Sequence, residues 1–160
     1  MEQFGVPSGG DWSLYRGGAI FVEGTEQLTL REGRYKRLDG NAIFLSGYNR
    51  NATIAKNELV FIGDNAIASC KPTNFLNHQR FDCVSGISGR PEIENQCVGA
   101  GGKTQEWDGR GADQPRFTTI KDNFVHEIAF FEKQSSFFFL AKTAQSTVTN
   151  NIAFNMPRAA

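Results

Sequence analysis

The chain has 160 residues and a mass of 17.7 kDa, the size of one ordinary domain. Its 17 Lys and Arg cancel its 17 Asp and Glu. Nucleic-acid capture wants a basic excess, so a nucleic-acid partner is not expected. Hydrophobic content of 39% and charged content of 21% exclude a disordered tail. No apolar run reaches the roughly 18 residues of a membrane-spanning helix. The stretch Met1 to Pro7 has neither the basic start nor the apolar centre of a secretory signal.

Residues 1–16 read as an irregular N-terminal segment, and a repeat begins after them. Ala19-Ile20-Phe21-Val22 is echoed by Ala42-Ile43-Phe44-Leu45, 23 positions on. Asp39-Gly40-Asn41-Ala42-Ile43 is echoed by Gly63-Asp64-Asn65-Ala66-Ile67, 24 positions on. Between these strings lie alternating pairs expected to point inward: Leu28 and Leu30, then Ala52 and Ile54, then Thr118 and Ile120, then Ser146 and Val148. Alternation with period two means strand. Three residues after each pair comes Gly33, Asn57, Asn123 or Asn151. Gly and Asn tolerate a left-handed backbone, so these four are expected to be the bends. Equivalent Asn residues can also hydrogen-bond up a stack as an amide ladder. A further apolar group follows each bend, as in Leu59 and Ile62, Val125 and Ile128, and Ile152 and Phe154.

Short strand, bend, short strand at a period near 24 describes one coil of a parallel β-helix. One coil cannot bury its own apolar face, but stacked coils share an interior. The expected fold is therefore all-β: a right-handed single-stranded parallel β-helix of about five coils over 17–160. A Gly-rich stretch without period, 71–114, interrupts it as a long insert. Such a loop is unusual in a compact domain. The insert holds two of the three cysteines, Cys83 and Cys97, with Cys70 just before it. Zinc spacing is absent. Free thiols and a disulfide stapling the insert both fit.

Four strings carry a resemblance. They are Asp39 to Ile54, Phe61 to Ala68, Gln114-Pro115-Arg116 with His126-Glu127-Ile128 and Glu132 to Ser136, and Ala141 to Ser146 with Asn155-Met156-Pro157-Arg158-Ala159. Together they resemble a family of large, mostly uncharacterised proteins with a right-handed parallel β-helix of the pectin-lyase-like type. The likeness covers about 17–70 and 113–160. It implies secretion and an extracellular polysaccharide or glycan partner. The chain departs from the pattern in its long insert, in Met156 before Pro157, and in stopping at Ala160. The resemblance therefore implies a fragment of a larger domain.

Candidate site residues follow from chemistry. Tyr48, Asn49 and Arg50 suit a sugar: the ring stacks, and the amide and guanidinium reach hydroxyls or carboxylates. Asp39 and Asp64 sit in echoed turns. Strands about 4.8 Å apart would bring them close enough to hold Ca²⁺ or to act as a carboxylate pair. Ca²⁺ is the only cofactor this sequence suggests. Uronate β-elimination needs a base and a neutralising cation. Lys133 or His126 would be the base, with Lys142 and Arg158 beside Asp64 in the groove. Gln27, Asn51 and Gln145 share one register and read either as sugar-binding amides or as a ladder. Asn51-Ala52-Thr53 is the one N-glycosylation sequon, and a glycan there would exclude a buried ladder role. Phe130-Phe131 and Phe137-Phe138-Phe139 read as groove-wall and interior rings. The basic run from Arg31 to Arg37 reads as a solvated edge. Two functions are open: a carbohydrate-active enzyme (lyase, hydrolase or epimerase), or a non-catalytic carbohydrate-binding or surface structural protein.

Overall fold

The computed structural model describes residues 17–70, 114–131, 135–141 and 143–157. The N-terminal segment 1–16 and the insert, with Cys83 and Cys97, lie outside the described residues. Twelve strands follow in chain order: β1 (Ile20–Glu26), β2 (Thr29–Arg31), β3 (Arg34–Leu38), β4 (Ile43–Arg50), β5 (Thr53–Ala55), β6 (Glu58–Ile62), β7 (Ile67–Cys70), β8 (Thr119–Lys121), β9 (Phe124–Ile128), β10 (Phe138–Ala141), β11 (Thr147–Thr149) and β12 (Ile152–Phe154). They form three sheets of four strands, ordered β1-β4-β7-β10, β2-β5-β8-β11 and β3-β6-β9-β12. All pairing is parallel. Three strands make a coil, and four coils stack into a right-handed parallel β-helix. The described residues build about four coils, where about five were expected. No helix among the described residues is long and apolar enough to cross a membrane.

The corners explain the repeat. Twelve of the thirteen non-glycine residues with positive φ among the described residues fall in three columns, and Ala129 (φ 62°), just past β9, stands outside them. The first holds Gln27, Asn51, Phe117 and Gln145, the second Glu32, Lys56, Asp122 and Asn150, and the third Arg37, Phe61, Glu127 and Asn155. The left-handed residue therefore precedes Gly33, Asn57, Asn123 and Asn151 instead of being them. The Asn residues are placed by the bend and do a different job. Asn57 Oδ1 accepts from Gly33 N at 2.9 Å, Asn123 Oδ1 from Asn57 N at 3.0 Å, and Asn151 Oδ1 from Asn123 N at 3.0 Å. Their Nδ2 groups donate to the next Oδ1 or to carbonyls of Leu30, Ile54 and Ile120. The amide ladder is thus present, and it satisfies backbone donors that a sharp corner leaves without a sheet partner.

A second ladder runs where the third sheet turns into the first. Asn41 Oδ1 accepts from Asn65 N and Nδ2 at 3.1 and 2.9 Å, and Asn65 Oδ1 accepts from Ser136 N at 2.8 Å. The change of repeat from 23 to 24 also has a cause. β1 and β4 slip register between Glu23 and Thr25, where β4 carries one residue more. Gly24 (φ 70°) and Gly47 (φ 61°) take the left-handed backbone this bulge demands.

The interior is a column of in-register side chains. Leu30, Ile54, Ile120 and Val148 stack on the second sheet, and Ile20, Ile43, Ile67 and Phe138 on the first. Ile43, Ile54, Ile67 and Ile120 are fully buried. Val148 in the fourth coil is 46% exposed. The outward residues Phe44, Ala68 and Phe139 of the first sheet are buried too, while Phe21 in their register on β1 is 48% exposed, so β4, β7 and β10 are covered on both faces, as parallel strands commonly are, and β1 is not.

Candidate functional site

The expected site residues fall on different parts of the coil. Tyr48 and Arg50 sit where the first sheet turns into the second. The bulge at Gly47 pushes Tyr48 outward. Its hydroxyl donates to Glu26 Oε1 of the coil above, and Arg50 lies under its ring at 4.2 Å. The hydrogen bond to Glu26 holds the Tyr48 hydroxyl above its ordinary pKa, because ionisation would set an oxyanion against a carboxylate. Arg50 donates to the carbonyls of Asn49 and Gln114. Arg116 stands in register below it, over the Phe117 ring at 5.0 Å and 2.8 Å from Gln145 Oε1. Asn51, Gln27 and Gln145 are exposed at this corner, so Asn51 belongs to no buried ladder.

Asn49 faces inward. It is fully buried, gives its Nδ2 to the carbonyls of Val22 and Ser46, and takes the Thr25 hydroxyl on Oδ1 at 2.7 Å. Asp64 is also buried, with its Oδ1 accepting from Asn65 N, Asn65 Nδ2 and the Ser135 hydroxyl. Both residues act within the wall of the coil. Asp39 is exposed and stands in register with Gly63, one position away from Asp64. No group of three or more His, Cys, Asp or Glu that could hold a metal exists among the described residues.

His126 points outward from β9. Its ring lies flat on Phe154, 5.2 Å apart and 6° from parallel, and meets Phe124 at 4.9 Å. Glu58 Oε1 of the neighbouring β6 is 3.9 Å from its Nε2, and Glu58 is itself paired with Arg34 at 2.7 Å. Glu127, next in sequence, accepts from Asn155 instead. Lys133, Lys142 and Arg158 lie outside the described residues.

A groove of about 410 Å³ opens where the third sheet turns into the first. Arg37, Leu38, Asp39, Phe61, Gly63, Phe130 and Phe131 line it. Phe61 and Phe130 meet at 5.9 Å with tilted rings, and Lys36 caps Phe61 at 5.7 Å. Phe131 is 74% exposed. Backbone bonds from Phe130 N to Ile62 O and from Phe131 N to Gly63 O fix the two rings. Gly63 is required by close approach: a Cβ there would lie 2.1 Å from the Asp39 carbonyl oxygen and 2.6 Å from Phe131. Aromatic faces beside one guanidinium and one carboxylate suit an amphipathic ring bearing hydroxyls.

Sequence reasoning missed Arg37 and Phe61, although it placed Phe130 and Phe131 at a groove wall. The available signal was the spacing of inward residues. Tyr35 and Leu38, Leu59 and Ile62, and Val125 and Ile128 are each three apart, which strict alternation forbids. An extra left-handed residue sits in each pair, and Arg37, Phe61 and Glu127 are those residues. Scans of protein-family models and searches of curated proteins and of solved structures found no match to this chain.

Proposed function

We propose that the chain is a polysaccharide-interacting β-helix protein of the pectin-lyase-like type, acting outside the cell. The observation that carries this reading is the groove walled by Phe61, Phe130 and Phe131. Aromatic faces stack on the C–H side of a sugar ring, while Arg37 and Asp39 reach its hydroxyls. Parallel stacking favours a polymer, since each coil repeats the surface of the last about 4.8 Å further on. Tyr48 over Arg50 offers a second stacking platform at another corner. The non-catalytic version is the better supported one, because among the described residues Asp39 is the only carboxylate lining the groove and His126 is not part of its lining. The catalytic version assigns Lys133 or His126 as base and Lys142 and Arg158 as neutralising cations. It also allows a Ca²⁺ ion beside Asp39.

A panel of neutral and acidic oligosaccharides, titrated calorimetrically against the full chain, tests this. Binding of at least one glycan is expected, with Phe131→Ala and Arg37→Ala weakening it about tenfold, or about 1.4 kcal/mol. Binding to none would overturn the reading. Unsaturated ends absorbing in the ultraviolet would identify a lyase, and new reducing ends without them a hydrolase. Loss of binding in EDTA, restored by Ca²⁺, would establish the ion.

A further inference from the structure

We propose that Asn51 is an N-glycan acceptor, modified when the chain passes through a secretory route that carries out this chemistry. Three observations converge on it. Asn51-Ala52-Thr53 has the acceptor pattern, and no other Asn in the chain does. The Asn51 side chain is exposed at the corner between β4 and β5, while its backbone N–H is already committed to Arg116 O at 3.2 Å. Cys70, fully buried in β7, is disulfide-bonded. Disulfides persist in oxidising compartments, the same setting in which N-glycans are added.

Local geometry also leaves the sequon open. Ala52 faces the interior and is fully buried, so Asn51 and Thr53 on either side of it are turned away from the core. Thr53 stands in an outward column with Thr29 and Thr119. The Asn51 φ of 54° is one that Asn tolerates well. Neighbours in its column are Gln27 and Phe117, both exposed, so a branched sugar meets no packed wall.

In the transfer, Asn51 Nδ2 forms a bond to the anomeric carbon of an oligosaccharide carried on a lipid diphosphate. The bond from that carbon to the diphosphate oxygen breaks, the amide nitrogen gives up one proton, and the lipid diphosphate leaves. No oxidant or reductant is involved. The glycan would stand beside Tyr48 and Arg50 and mask that platform. The groove at the other corner, around Phe61 and Phe131, would stay open. This inference does not depend on the glycan-binding reading of that groove.

The test is secretion of the full chain from glycosylating eukaryotic cells, followed by intact-mass measurement. A glycan-sized mass addition is expected. Treatment with a peptide amidase should remove it and convert Asn51 to aspartate. Asn51→Gln should abolish the addition while leaving the β-sheet circular dichroism unchanged, because Gln already occupies the same left-handed column at Gln27 and Gln145. Thr53→Ala should abolish it as well, and Thr53→Ser should keep it. The glycosylated chain should melt no lower than Asn51→Gln. A secreted chain unmodified at Asn51 would overturn the proposal. So would a mass addition that persists in Asn51→Gln, since the glycan would then sit elsewhere.

Discussion

At 1% exposure, Asn123 accepts two hydrogen bonds from Asn57 and donates to the Ile54 carbonyl and to Asn151. Nothing else among the described residues supplies those partners. Asn123→Ala leaves the backbone N–H of Asn57 and the carbonyl of Ile54 buried without them. Each such orphan costs roughly 1–3 kcal/mol. The variant is expected to lose about 3 kcal/mol, read as a lower urea midpoint at unchanged slope. Thr118 shows the opposite case. It is fully buried in the inward column of Ala52, and its hydroxyl has no hydrogen-bond partner among the described residues. Thr118→Val keeps the shape and removes the orphan. A gain of about 1 kcal/mol is expected from the same unfolding curve. A loss would mean that the hydroxyl is solvated internally.

Strands of three to five residues have little stability alone, and their contribution depends on where they stand in the stack. The second sheet makes this testable, since Leu30, Ile54, Ile120 and Val148 share one register. Ile54 and Ile120 are sandwiched between coils and fully buried, while Val148 is 46% exposed. Ile54→Ala and Ile120→Ala should each cost about 2–5 kcal/mol through lost burial and the cavity left behind. Val148→Ala should cost less than about 1 kcal/mol, because a half-exposed side chain has little burial to lose. Equal losses at these three positions would contradict a stack in which each coil leans only on its neighbours.

Across the described residues, every sheet pair joins residues far apart in sequence, with partners 23, 24, 28, 66 or 71 positions apart. Stability is therefore shared, and pH acts on it as a whole. Tyr35, on β3 of the first coil, is held above its ordinary pKa by burial, and Tyr48 by its bond to Glu26. Both groups lose protons more readily when unfolded, at about pH 10. Their contribution is fully present below that value and is lost as pH rises through the higher folded values. The unfolding free energy should therefore be level in this respect at neutral pH and fall above about pH 10. Tyrosinate absorbance should show Tyr35 and Tyr48 titrating late in the folded chain. Tyr48→Phe should remove the part due to Glu26. Titration of both at the unfolded value would sink this account.

The repeat, the parallel strands, the inward columns and the Asn ladder were legible in the sequence, because a β-helix writes each coil as the same short pattern. Three-dimensional stacking decided the rest. Which residue at a corner takes positive φ depends on the backbone path: Lys56 and Asp122 take it, and the Asn residues that follow make the bonds. The number of coils depended on where the chain closes each turn, and the described residues make four. Asn49 and Asp64 looked like surface groups by composition, yet the bulge at Gly47 and the second ladder turn them into the wall. The groove was hidden for a related reason. Its lining comes from the third coil's Phe130 and Phe131 and from earlier coils' Arg37, Asp39 and Phe61. An inserted left-handed residue reverses the alternation that would otherwise have revealed which of them face outward.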